Sequence, residues 1–262
     1  MSSAVLLDCR DGVAVLTLNR PDRANVIDTE MCAALVAAVE ALAHERGLRA
    51  VLLQARGRHF CAGGDIRAMN SEDDIASTID ATVSPMHRMV LRLATLPVPV
   101  VSALNGPIGG AGIGLALCAD VVLAAESMKL RGGYSAVGLT PDVGSSWFLA
   151  RRAGPARTKE IFMTNEALSA RQCHQYGIVS EVLADADLAA RAILLVTALA
   201  CGATGSFARI KGLVDGASGR SLQEQLDLEH RLIIESAQSA DAQEGVAAFA
   251  EKRIPVFGRE AA

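Results

Sequence analysis

Over residues 13–18 the chain sets Val13, Val15 and Thr17 against Ala14, Leu16 and Leu18. That two-residue period predicts a strand, which Asn19-Arg20-Pro21 ends in a turn. Asp28-Thr29-Glu30 opens a helical pattern through Met31, Leu35, Val39 and Leu42, ending near Gly47. Ala50-Val51-Leu52-Leu53 is apolar at every position, as a buried strand requires, and a glycine-rich loop follows at 57–65. A polar loop at 70–74 leads into a helix ending near Thr95. Pro97 and Pro99 then bracket a second buried strand over 98–103. A loop at 105–110, an apolar helix over 112–118 and a strand over 121–124 come next. Strands alternating with helices predict an α/β fold whose parallel strands are joined by crossovers. From about Pro155 the pattern turns mainly helical, with Leu222, Leu226, Ile233 and Ile234 in register. No fixed-period repeat or low-complexity linker divides the chain. The simplest organisation is a core over residues 1–200 and a helical C-terminal region over 201–262.

Composition narrows the partners. With 262 residues the chain can bury a large core. Aromatic residues make up only 3 % and the formal charge is −4, which argues against base stacking and a nucleic-acid footprint. An anionic substrate therefore needs a local basic cluster. Six scattered cysteines without a C-x-x-C pair predict reduced thiols, with no disulfide framework and no metal site. The N-terminus lacks a signal-peptide pattern and no apolar run reaches membrane-spanning length, so a cytoplasmic protein without membrane partners is expected.

Two loops carry the candidate chemistry. The first is Arg56-Gly57-Arg58-His59-Phe60-Cys61-Ala62-Gly63-Gly64-Asp65, and the second is Asn105-Gly106-Pro107-Ile108-Gly109-Gly110-Ala111-Gly112. Each follows a predicted strand and precedes a helix. Glycine lets backbone approach a ligand closely, and one N–H from each loop can meet at an oxygen that gains negative charge. Tight strand-to-helix turns with no chemistry are the alternative. Neither loop matches a phosphate-binding G-x-x-x-x-G-K-[ST] or a dinucleotide G-x-G-x-x-G pattern.

HFCAGGDIRAM and ALNGPIGGAGIGLALCADVVLAAESMKL resemble the two signature loops of the crotonase superfamily, the enoyl-CoA hydratases and isomerases. RPDRAN resembles the family's early CoA-contacting turn, GLTPDVGSSWFLARRAG its active-site loop, and FAEKRIPVF its C-terminal segment. The motifs run in order from about residue 10 to 257. The resemblance implies a crotonase-type ββα spiral core, an acyl-CoA substrate with no separate cofactor, and homotrimers or hexamers. It implies oxyanion-hole donors at the N–H groups of Gly64 and Ala111, where Ala111 replaces the family's usual glycine. CoA contacts are implied at Asp22, Arg23, Ala24, Ala62, Gly63, Asp65, Ile66, Arg67, Gly110 and Gly114. Phe249 and Lys252 would hold the adenosine end, across a subunit boundary.

The two glutamates of the hydratases map to Gly114 and Tyr134, and neither can act as a carboxylate base. Asp142 is the remaining acid in the active-site loop. A turn or N-cap aspartate is its ordinary role. By resemblance, it stands where some enoyl-CoA isomerases and the 4-chlorobenzoyl-CoA dehalogenase carry their essential aspartate. His87 falls where the dehalogenase has its water-activating histidine, and Tyr134 where it has an aromatic residue. Double-bond isomerisation through Asp142 is the favoured expectation. Hydration, dehalogenation and an inactive acyl-CoA-binding homologue are the alternatives. Ser145 and Ser146 lack a nucleophile-elbow context, and Arg151-Arg152 reads as a solvated face.

Overall fold

Apolar residues on both sides of one strand decide the architecture. The computed structural model describes residues 3–67 and 74–258. Its main sheet runs β1 (Val5–Arg10), β2 (Val13–Leu18), β3 (Ala50–Ala55), β4 (Val100–Leu104), β6 (Val121–Ala125) and β9 (Glu181–Leu183), in that spatial order. From β2 to β9 every pairing is parallel. Successive side chains on β3 point to opposite faces. Ala50 and Leu52, with Val101, Ala103 and Leu123, pack on Leu188, Ala192, Val196 and Ala200. Those four residues form an i, i+4 stripe along α6 (Leu188–Ala200). Val51 and Leu53 face the other way, into the cluster with Met31 and Leu35 of α1 (Thr29–His44) and Met86 and Leu93 of α2 (Ile75–Ala94). Leu52 and Leu53 are both fully buried, each stabilising the fold by about 1.5–3 kcal/mol relative to exposure. Helices on both faces explain the unbroken apolar runs.

A second sheet of very short strands holds β5 (Ile108–Gly109), β7 (Lys129–Arg131) and β8 (Leu168–Ser169). The helix α3 (Ala111–Leu117) touches β4 of the first sheet and β5 of the second, and α4 (Ser145–Thr164) packs on α3 and breaks at Gly154 (φ 77°, ψ 160°) before Pro155. After α5 (Ala170–Gln175) and α6, the chain ends in α7 (Thr204–Gly216), α8 (Leu222–Ala237) and α9 (Ala240–Glu251). Neither α7 nor α8 buries a residue, and Leu222, Ile233 and Ile234 stand exposed. No single described helix is long and apolar enough to cross a membrane.

The structure departs from the pattern reading in several places. It adds β1, which folds back on β2 across Asp11 and Gly12, both at positive φ (50° and 77°). Paired positive φ suits the twist of a two-residue hairpin turn. The first helix stops at His44, before Gly47. The mainly helical part beyond Pro155 also contributes β8 and β9. Of the polar loop at 70–74, residues 70–73 lie outside the described residues. Arg152 is not on a solvated face. It turns inward to donate to the carbonyls of Ala119 (2.6 Å), Ile178 (3.4 Å) and Leu117 (3.5 Å), satisfying the end of α3.

Candidate active site

The early turn and the first glycine loop are joined by backbone. Ala24 and Asn25 both take left-handed conformations (φ 51° each). The Ala24 carbonyl accepts the N–H of Ala62 at 3.1 Å, and the N–H of Ile27 donates to the Gly63 carbonyl at 2.8 Å. Asn25, fully buried, donates to the carbonyls of Arg56 and His59 and accepts the N–H of Arg20. The pattern reading missed Asn25, although an asparagine in a turn-forming RPDRAN run is a known left-handed signal. Arg23 bridges Asp28 (2.9 Å) and Asp65 (2.5 Å), so it stands across the first loop with its side chain half exposed. Asp28 also caps α1 through the Met31 N–H and pairs with Arg20 at 2.6 Å. Burial opposes ionisation of Asp28, but the Met31 amide and the two arginines hold its carboxyl below its ordinary value.

The two glycine loops lie against each other. The N–H of Gly109 donates to the Cys61 carbonyl at 3.1 Å, and that of Phe60 to the Pro107 carbonyl at 3.2 Å. Gly63 is at φ +101°, and a Cβ there would lie 2.8 Å from the Gly109 oxygen and 3.4 Å from the Ala111 nitrogen. Only glycine permits this approach. Ala111 is the first residue of α3 and does not have positive φ, so its methyl group fits the helix start. Gly110 sits at φ 49°, ψ −130°, and donates its own N–H to the Gly132 carbonyl at 3.2 Å. No hydrogen bond to a described residue is found for the N–H of Gly64 or of Ala111. Ala62, Ile66 and Arg67 are exposed beside them, and Asp65 is buried.

Against the second loop lies the turn 142–145, joined to it through Ser145. Val143, a β-branched residue, is held at φ 48°, a strained conformation that costs about 1–3 kcal/mol. Its N–H donates to Nε2 of His87 at 3.0 Å, so this nitrogen is unprotonated and the ring carries its hydrogen on Nδ1. His87 is exposed on α2. The Tyr134 hydroxyl donates to Oδ1 of Asp142 at 2.5 Å and lies 3.2 Å from the Ser145 hydroxyl. Ser145, fully buried, accepts the N–H of Gly114 (3.0 Å) and donates to the Gly110 carbonyl (3.2 Å). Burial pushes the Asp142 carboxyl above its ordinary value, while the Tyr134 hydroxyl, bonded to the charged form, pulls the other way. Burial and the Asp142 charge also raise Tyr134, which therefore stays a donor.

The remaining sequence candidates fall into two groups. Gly114 is fully buried behind the turn, where a Cβ would lie 1.9 Å from the Val143 carbonyl oxygen. The space that a glutamate side chain would need is filled by backbone. Asp22 is exposed on the early turn. Phe249, 88 % exposed, and Lys252, at φ 56°, stand on the last turn and C-cap of α9, outside this hydrogen-bonded cluster. Ser145 was passed over by sequence reasoning, since its partners at Gly110, Gly114 and Tyr134 are brought together only by the fold.

This fold and this pair of apposed glycine loops are those of the crotonase superfamily. A family model described as enoyl-CoA hydratase/isomerase matches residues 8–260. The chain is 38 % identical to a 1,2-epoxyphenylacetyl-CoA isomerase from Escherichia coli, over 98 % of this chain and 99 % of that protein. It is 33 % identical to a trans-2-decenoyl-[acyl-carrier-protein] isomerase from Streptococcus mutans, over 97 % of each. The crystal structure of an enoyl-CoA hydratase from Bacillus anthracis superposes with a TM-score of 0.92 at 27 % identity, covering 98 % of this chain and all of that one (100 %). The chain belongs to the enoyl-CoA hydratase/isomerase family and is an enzyme of that type.

Proposed function

We propose that the enzyme isomerises an enoyl-CoA by moving one proton through Asp142. In a 3-enoyl thioester, Asp142 takes the proton from C2, and the electron pair delocalises onto the thioester oxygen. The N–H groups of Gly64 and Ala111 stabilise that charge. Asp142 then returns the proton to C4, leaving the conjugated 2-enoyl thioester. One observation carries this reading: Tyr134 and Ser145 link Asp142 to the Gly110 carbonyl of the second loop, and backbone fills the Gly114 position where hydration would need a carboxylate. With Oδ1 held by Tyr134, Oδ2 is left for the proton.

The test is a panel of 3-enoyl-CoA thioesters followed at the absorbance of the conjugated product. Conversion by the parent, lost in Asp142→Asn, supports the proposal, and an Asp142→Asn variant as active as the parent overturns it. The E. coli relative's name supports a second substrate for the same proton-transfer site, so 1,2-epoxyphenylacetyl-CoA belongs in the panel. We also propose homotrimers or hexamers, supported by the exposed apolar residues Leu222, Ile233, Phe249 and Ile254. Light scattering that finds a monomer would refute the assembly.

A further inference from the structure

We infer that Ser145 is a positioning residue for the oxyanion hole, an inference that rests on the functional reading above. The carbonyl of Gly110 and the N–H of Ala111 belong to one planar peptide unit, so whatever fixes the carbonyl also aims the amide. Two donors fix it. The N–H of Ile113 reaches the Gly110 oxygen at 3.0 Å within the first turn of α3, and the Ser145 hydroxyl reaches it at 3.2 Å from another element. A carbonyl that accepts hydrogen bonds polarises its peptide, and its N–H becomes a better donor. Ser145 itself has no freedom to drift. It is fully buried, and the Gly114 N–H at 3.0 Å anchors its oxygen.

The same hydroxyl links the hole to the base. Ser145 has one hydrogen and two acceptors, the Gly110 oxygen at 3.2 Å and the Tyr134 oxygen at 3.2 Å. While Asp142 is ionised, it draws the Tyr134 hydrogen and leaves the Tyr134 oxygen electron-rich, so that oxygen competes for the Ser145 hydrogen. When Asp142 gains the substrate proton, that competition weakens just as charge builds at the Ala111 N–H. The Ser145 hydrogen then favours Gly110, and the hole strengthens with the charge it must hold. No bond other than hydrogen bonds changes in this step.

The test reads the hole directly, using hexanoyl-CoA with a carbon-13 thioester carbonyl, a saturated probe that the proposed isomerisation leaves unchanged. Infrared difference spectra report how far binding lowers the carbonyl stretch. The parent is expected to show a clear lowering. Ser145→Ala is expected to lose part of it and to drop kcat roughly tenfold to a hundredfold, with KM little changed. That loss falls short of the ~10²–10³ that removal of an oxyanion donor costs. Tyr134→Phe leaves Gly110 as the acceptor for the Ser145 hydrogen and keeps the lowering. Should Ser145→Ala fail to fold, Ser145→Cys keeps the packing with a poorer donor and shows the same partial loss. A full lowering in whichever serine variant folds would overturn the positioning role. No lowering in the parent would instead sink the oxyanion hole itself, and Asp142→Asn, inactive with a full lowering, would show that the hole and the base fail separately.

Discussion

His87, on one helix, holds the main chain of Val143 on another element: the Val143 N–H donates to His87 Nε2 at 3.0 Å. That bond supports a β-branched residue at φ 48°, next to Asp142. Removing the acceptor in His87→Ala is expected to cost only about 1 kcal/mol in urea unfolding, since the exposed site lets water replace part of the bond. Activity should fall further than stability, by roughly tenfold or more, because a small misplacement of a reacting group is costly. His87→Gln, whose side-chain oxygen can accept the same N–H, should recover part of kcat. Equal, small losses in both variants would show that the turn does not need this acceptor.

Asp142 sets the acid limb of the pH profile. Burial raises its carboxyl above the ordinary value, so the active, ionised form is lost at a higher pH than a free carboxylate would require. The Tyr134 hydroxyl acts in the opposite direction by bonding the charged form. Tyr134→Phe removes that bond, and the acid limb of kcat/KM should move to higher pH. A limb that stays in place or moves to lower pH would mean that the hydroxyl does not stabilise the carboxylate.

How much of this was legible in the sequence follows from the physics of each element. Val51 to Leu53 read as a buried strand because both of their faces are covered, and the glycine loops stood out because the approach of Gly63 to Gly109 tolerates no side chain. Strand β1 escaped although Asp11-Gly12 is a strong hairpin signal, because Leu6 and Leu7 are adjacent and Asp8, Cys9 and Arg10 are exposed, so no apolar alternation shows. Strands β5 and β8 have two residues each, too short for any period to show. The inward turn of Arg152 depends on where α3 ends, and sequence spacing does not supply that. Asp142 could be picked out as a candidate, but its bond to Tyr134 and the Ser145 link to Gly110 join segments up to 35 residues apart.

Gly114 tests whether the reaction type is fixed by backbone. With the Val143 carbonyl oxygen 1.9 Å from where a Cβ would stand, Gly114→Glu cannot place a carboxylate without moving the turn that bears Asp142. The variant is expected to lose roughly 3 kcal/mol or more of stability, as overpacked cores do. It should show neither isomerase activity nor gain of crotonyl-CoA hydration. A stable variant that hydrates crotonyl-CoA would mean that the turn yields easily, contrary to the packing seen here.

Gly63 tests the apposition of the two loops. At φ +101° an alanine is strained, and its methyl group would sit 2.8 Å from the Gly109 oxygen, with backbone on both sides. The cheapest relief is for the loops to part, which carries the Gly64 N–H away from that of Ala111. Gly63→Ala should therefore cost about 1–3 kcal/mol in stability from backbone strain. The larger effect should fall on kcat, roughly 10²–10³, the range for losing one donor of an oxyanion hole. Since the Arg23–Asp65 and Ala24–Ala62 contacts lie on the other side of this loop, KM for the acyl-CoA should change less than kcat. A variant that lost stability yet kept the parent's kcat would show that the two amides need not be held together, and the proposed stabilisation of the thioester oxygen would fall with it.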